Sequence, residues 1–354
     1  MAKYIEKVQQ MLQKQGADAV ILQSKTMKKY IHTLTGSGCK ILITKDKGYI
    51  FLDGRYLEEA REKEKDLEIW LVKNDMHTEI IHFLDVLHCS TIALEDSTTS
   101  VCIYQKYINN NLKVQLWDEE LAMLRIIKEE EEIEKIQYAV DVADDVFACV
   151  KSQIHAGMSE YEISALLQYH AISKGATQMS FDTIVSSGPR TAFPHGRPTD
   201  RRIRRNEPIM IDFGVQMNNY QSDITRMLFI GAPAQAILEI YETVYEAQTT
   251  ALSKIRSGMR GKDVDVIARS IIENRGYGEF FGHGLGHGIG IGDGSELPYL
   301  NPSSNTVLQE NMLMSCEPGV YVPGVGGVRI EDDVLIKNGI GIALNHTSKE
   351  LCIL

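Results

Sequence analysis

Short apolar blocks alternate with amphipathic stretches through the first third of the chain. Residues 4–15 carry apolar side chains at helical spacing and stop at Gly16, whereas Ala19-Val20-Ile21-Leu22 is an uninterrupted run of the kind a buried strand shows. Strands are expected at 39–44 and 49–52, around the polar turn Lys45-Asp46-Lys47-Gly48. A charged helix over 56–66, a strand at 68–72, a helix over 79–87 and a strand at 91–94 continue an α/β pattern to about residue 118.

Beyond that point the pattern changes. Residues 119–145 are strongly charged, with Leu121, Leu124, Ile127, Ile133, Ile136 and Val140 at helical spacing, which predicts one long surface helix acting as a hinge. Helices over 134–152 and 160–174 then precede a glycine-rich, strand-rich segment at 180–231. Helices over 233–257 and 262–275 precede a second such segment at 276–332. The order of helices then strands thus occurs twice, which suggests an internal structural repeat that no sequence period supports.

With 354 residues the chain suits two domains, and its 44% apolar and 24% charged residues are ordinary for a globular protein. The net charge of −11 argues against nucleic acid as a partner, because neutralising phosphates requires a basic surface. The one basic run, Arg201-Arg202-Ile203-Arg204-Arg205, is expected to be a solvated loop. No stretch has the apolar length of a membrane span, and MAKYIEKVQQ lacks the apolar core of a secretory signal, so a cytoplasmic protein is expected. Cys39, Cys89, Cys102, Cys149, Cys316 and Cys352 show no metal-binding or redox spacing and are expected to be reduced and buried.

The chemistry concentrates in the second part. Ile209-Met210-Ile211-Asp212-Phe213-Gly214 and Tyr220-Gln221-Ser222-Asp223-Ile224-Thr225-Arg226 flank a turn at Asn218-Asn219, so they read as a hairpin with one aspartate on each arm. Either aspartate alone is equally compatible with a helix cap or with pairing to Arg226. Two carboxylates buried on neighbouring strands, however, repel each other unless a cation lies between them. Phe281-Gly282-His283-Gly284-Leu285-Gly286-His287-Gly288 adds two histidines on a backbone too rich in glycine for a helix. It matches neither the dinucleotide fingerprint nor a Walker loop. Cys316-Glu317-Pro318-Gly319 ends a strand on a glutamate, and Gly327-Val328-Arg329-Ile330-Glu331-Asp332 carries another within one. Asp212, Asp223, Glu317, Glu331 and His287 make a hard, oxygen-rich set that suits two divalent ions, with Mn²⁺ favoured over Co²⁺, Zn²⁺ or Fe²⁺. Two ions sharing carboxylates can hold a bridging hydroxide, and the reaction implied is metal-assisted hydrolysis.

In this order the segments resemble the pita-bread metallopeptidases, the family of methionine aminopeptidase, Xaa-Pro aminopeptidase and prolidase. Ser186-Ser187-Gly188-Pro189-Arg190 with Pro194-His195-Gly196 looks like the loop that opens those active sites. Tyr30-Ile31-His32-Thr33-Leu34-Thr35-Gly36 and Leu52-Asp53-Gly54-Arg55-Tyr56 look like the N-terminal domain of the Xaa-Pro branch. The resemblance implies a creatinase-type α/β domain over 1–118 and a pita-bread α+β catalytic domain over 119–354. It implies that Asp223 and Glu331 bridge both metals, that Asp212 completes one ion, and that His287 with Glu317 completes the other. Glu317 is then the general base, His195 contacts the substrate near the scissile bond and shuttles a proton, and His283 and Arg329 line the pocket for the proline side and its carboxylate. Arg329 could equally orient Glu331. A peptide with proline at its second position is the implied substrate, and a homodimer the implied assembly. One position departs from the family, whose metal-binding histidine is followed seven residues on by a second histidine. Here that place is Gly294, so either Ser295 or a shifted loop replaces the missing donor, the substrate differs, or the protein has become a weakened or inactive metal-binding module.

Overall fold

In the first 125 residues, the alternating pattern builds a six-stranded sheet whose order is Glu68–Leu71, Gly48–Leu52, Cys39–Thr44, Ala19–Leu22, Thr91–Leu94, Lys113–Leu116. The strands from Gly48–Leu52 to Ala19–Leu22 pair antiparallel, and the outer neighbours pair parallel. Ile21, Leu42, Phe51, Ile80, Leu84 and Ile92 are buried together on the sheet. The helix Ala2–Gln15 ends at Gly16, whose φ of +69° is the left-handed closure glycine accepts without strain. Helices at Lys25–Tyr30 and Val101–Ile108, absent from the sequence reading, are each started by a serine. Ser24 and Ser100 accept the N–H of Met27 and Ile103. Glu95, only 3% exposed, is completed by three donors: the N–H of Gln23, the N–H of Ser24 at 2.8 Å and the Ser24 hydroxyl. His77 meets Tyr107 Oη at 2.9 Å, and burial pulls its pKa down to about 4.

The computed structural model describes residues 2–292 and 294–354, so Asp293 of the glycine-rich run lies outside it. The chain divides into two compact units, Met1–Arg125 and Ile126–Leu354. The long helix expected over 119–145 is two helices, Asp118–Met123 and Glu130–Lys151. Tertiary pairing overrides helical spacing between them. Ile127 bridges to Met312, Lys128 N–H donates to Asn311 O, and the Lys128 ammonium is buried 3.8 Å from Glu296.

The second unit contains two helix pairs, each with its own core. Glu130–Lys151 and Glu160–Ser173 pack with Ile209, Ile211, Phe213 and Ile224. Gln235–Lys254 and Gly261–Asn274 pack with Leu285, Met314, Val320 and Val334. A four-stranded sheet (Cys352–Ile353, Ile224–Phe229, Pro208–Phe213, Ile184–Ser187) belongs to the first half. A five-stranded one (Glu296–Leu300, Gly286–Gly288, Leu313–Cys316, Asp332–Lys337, Ile340–Ala343) belongs to the second. No described helix is long and apolar enough to cross a membrane. The six cysteines are free. Cys39 and Cys316 are buried but Cys102 is exposed, contrary to the expectation that all of them bury.

Candidate metal centre

The expected hairpin forms where predicted. Asn218 and Asn219 take φ values of 50° and 72°, as a tight two-residue turn requires, and Met217 pairs with Tyr220 across it. Asp212 lies in the strand Pro208–Phe213, opposite Thr225. Asp223 is not within a strand: it occupies the break between Tyr220–Gln221 and Ile224–Phe229. There Gly214 is indispensable, because a Cβ on it would lie 1.8 Å from Ser222 O. Gly286 does the same for the second half, where a Cβ would lie 2.1 Å from Ser315 O and push apart the strand that carries His287 and the strand that leads into Glu317.

The predicted ligands converge. Asp212, Asp223 and Glu331 each place an oxygen within 4.8 Å of the others'. His287 Nε2 lies 3.8 Å from Asp223 Oδ2 and 3.4 Å from Glu317 Oε1. His287 Nδ1 faces Gly288 O at 3.1 Å, which turns Nε2 toward the two acids as the nitrogen positioned to meet a cation. Two hydroxyls that the sequence reading did not single out hold the acids. Thr225 Oγ1 donates to Glu331 Oε2 at 2.6 Å. Ser315 Oγ donates to Glu317 Oε1 at 2.9 Å and accepts the His287 N–H at 3.0 Å. Asp223 N–H donates to Asp333 Oδ2 at 2.9 Å.

Whether these residues suit metal ions is decided by what they lack. Asp212 Oδ1, Asp223 Oδ1 and Glu331 Oε1 are buried with no hydrogen-bond partner. Burial raises the Asp223 and Glu331 carboxyls well above the usual range, and neighbouring acids push both the same way. Asp212 is raised by burial too, with Arg329 opposing. Three open, converging anionic oxygens beside an imidazole lone pair are a donor set that divalent cations complete.

The centre borders a cavity of about 920 Å³, also lined by His195, His283, Tyr321, Arg329, Gly294 and Ser295. His195 is exposed there, on the loop after the turn Gly188–Ala192. Arg329 and His283 line the cavity with their polar atoms engaged. Arg329 pairs with Asp212 rather than Glu331, and it also donates to Tyr321 Oη at 2.7 Å, Thr225 Oγ1 at 3.1 Å and Pro194 O at 3.2 Å. Four of its five N–H groups are thereby used. His283 Nδ1 lies 2.7 Å from Gly284 O and Nε2 lies 2.9 Å from Tyr321 Oη, while burial lowers its pKa. Tyr321, whose hydroxyl is pushed up to about 12 by burial, is the link the sequence reading missed. Gly294 has a φ of +114° with nothing within 4 Å of a Cβ. There is room for a side chain, but the backbone is strained for any residue other than glycine. Ser295 is the neighbouring lining residue that can present one.

Open acidic oxygens and a free imidazole nitrogen at the edge of a cleft define a metal-dependent hydrolase centre. Residues 134–338 match the model of metallopeptidase family M24, and residues 5–127 match that of the creatinase/prolidase N-terminal domain. The chain belongs to metallopeptidase family M24, with a creatinase-type domain ahead of the catalytic one. It is 36% identical over 358 residues to the Xaa-Pro dipeptidase of Pyrococcus furiosus, covering 99% of this chain and 100% of that protein. The solved structure of the Xaa-Pro dipeptidase from Bacillus anthracis is similar to it at a TM-score of 0.95 and 34% identity, covering 100% of this chain and 99% of that one. The X-Pro aminopeptidase from Thermotoga maritima is similar at a TM-score of 0.88 and 37% identity, covering 96% and 98%.

Proposed function

We propose that the protein is a two-metal peptidase that hydrolyses Xaa-Pro bonds, in dipeptides or at the N-termini of longer peptides. The observation that carries this reading is the trio of partnerless oxygens on Asp212, Asp223 and Glu331 beside the free Nε2 of His287. These residues and Glu317 would hold the two ions. When bound, the ions supply an acidified water and polarise the scissile carbonyl. Mn²⁺ is favoured because four carboxylates and one imidazole form a hard donor set.

The chain's own groups do the rest. Glu317 takes the proton of the attacking water, with the Ser315 hydroxyl fixing the orientation of its carboxylate. His195, exposed to the cleft, hydrogen-bonds the substrate next to the scissile bond. Arg329 and His283 serve as the wall of the proline side rather than as carboxylate anchors, since all but one of the Arg329 N–H groups and both His283 nitrogens are already engaged. Ser295 stands in for the imidazole that Gly294 cannot supply. A cytoplasmic location, expected from the sequence, and a homodimer, on the family resemblance alone, complete the reading.

The test is hydrolysis of Xaa-Pro dipeptides and tripeptides by metal-stripped protein reloaded with Mn²⁺, Co²⁺ or Zn²⁺. Metal-dependent cleavage is expected, and the dipeptide-to-tripeptide ratio assigns the branch. No cleavage with two ions bound per chain overturns the peptidase assignment in favour of a metal-holding binding module.

A further inference from the structure

Glu160 is the first residue of the helix Glu160–Ser173 and, by sequence, an unremarked surface acid. In the structure it is 0% exposed, and both of its oxygens are spent on one loop. Oε1 accepts the N–H and the hydroxyl of Ser187, each at 2.8 Å. Oε2 accepts the Thr199 N–H at 3.0 Å, the Thr199 hydroxyl at 2.7 Å and the Arg190 guanidinium. Ser187 and Thr199 are the two ends of the segment 188–198, which carries Pro194, His195 and Gly196. One carboxylate therefore closes the loop at its base, and Arg190 extends the tie inward by donating to Arg197 O at 2.8 Å. Arg201 reinforces the closure through Ser187 Oγ at 2.6 Å and Glu207 at 2.7 Å. The basic run expected to be merely solvated thus contributes its first arginine to this clamp.

We propose that Glu160 is a positioning residue for His195, clamping both ends of the loop so that the imidazole is held at the metal cleft. This rests on the role given to His195 above. Within the loop, Gly196 N–H donates to Phe193 O at 3.0 Å, and Pro194 O accepts from Arg329. The flanks of His195 are therefore held while its side chain stays exposed. Five charge-assisted bonds to one buried carboxylate make the clamp stiff, and an amide cannot replace it, because its NH₂ would face donors. A misplacement of about 1 Å at a reacting group is worth on the order of 10²-fold in rate, which sets the scale of the effect.

The experiment is a double-mutant cycle on metal-loaded protein with an Xaa-Pro substrate, alongside the rate of tryptic cleavage after Arg197. E160Q is expected to lower kcat by about 10²-fold with bound metal unchanged, and to speed tryptic cleavage of the loop. In an H195A background, E160Q is expected to cause no further loss of kcat. Thr199→Val, which removes one of the five bonds and keeps the fold, is expected to give a smaller loss with the same non-additivity. Multiplicative losses in the double variants, or full kcat in folded E160Q or T199V, overturn the proposal while leaving His195 in its role. Full activity in H195A alone overturns the role of His195 and the proposal with it.

Discussion

In the first unit Glu95 is 3% exposed and takes three hydrogen bonds from Gln23 and Ser24. In the second, Asp212, Asp223 and Glu331 are buried to a similar degree, yet each keeps one oxygen with no partner. Burial does not separate these acids; the supply of donors does. A carboxylate completed by N–H and O–H groups strengthens its surroundings, whereas three incompletely partnered ones packed together weaken theirs until positive charge arrives. Convergence adds to that difference: Asp333 also keeps one buried oxygen without a partner, but only Asp212, Asp223 and Glu331 bring theirs together.

Breaking the open cluster should have the largest effect. Asp223→Asn is expected to lower activity by more than about 10²-fold, since losing even an outer partner of a metal ligand costs about 10–100-fold. Bound metal should fall with it, while the metal-stripped variant should melt above metal-stripped wild type, because one of the repelling charges is gone. A lower melting temperature for the stripped variant would contradict the idea that the cluster is a burden without its ions. Breaking the completed acid should do the opposite. Glu95→Gln is expected to destabilise the protein by about 1–3 kcal/mol, read by urea unfolding, with metal content unchanged. A change in metal stoichiometry there would blur the distinction. The smallest effect concerns His77. Its folded pKa of about 4 lies below the ordinary value of about 6.5, so the folded state resists a proton that the unfolded chain accepts. Stability is therefore intact above about pH 6.5 and falls as the pH drops toward 4, by on the order of 1 kcal/mol after allowing for solvent screening. His77→Phe should flatten that slope. An unchanged slope would mean that the imidazole takes up its proton at the same pH in the folded and unfolded chain.

Much of this was legible in the sequence, because period and ligand type are local properties. The apolar runs placed the sheet of the first unit, and the aspartates, glutamates and His287 picked out from the sequence lie near one another in the fold. What stayed hidden depends on distant partners. Lys128 looks like one charge in a surface run, and only Glu296 and Asn311 reveal why the helix breaks there. Glu160 looks like an ordinary acid in a helix's first turn until Ser187 and Thr199 fold over it. Tyr321 lies on a two-stranded ribbon, Gly319–Val322 with Gly326–Arg329, whose pairing alone brings its hydroxyl to Arg329 and His283. The short helices after Ser24 and Ser100 were missed because a serine cap is a weak signal without a long apolar stripe behind it.

The proposed ligands come from both halves of the second unit, Asp212 and Asp223 from one and His287, Glu317 and Glu331 from the other. An ion seated at that seam is bound only when both halves are folded, so metal supply and folding are linked by mass action. Free metal at a hundredfold excess over its dissociation constant adds about 2.7 kcal/mol to the folded state. That is a sizeable share of what holds a typical domain together. The melting temperature is therefore expected to rise with free metal and to fall when a chelator strips the ions.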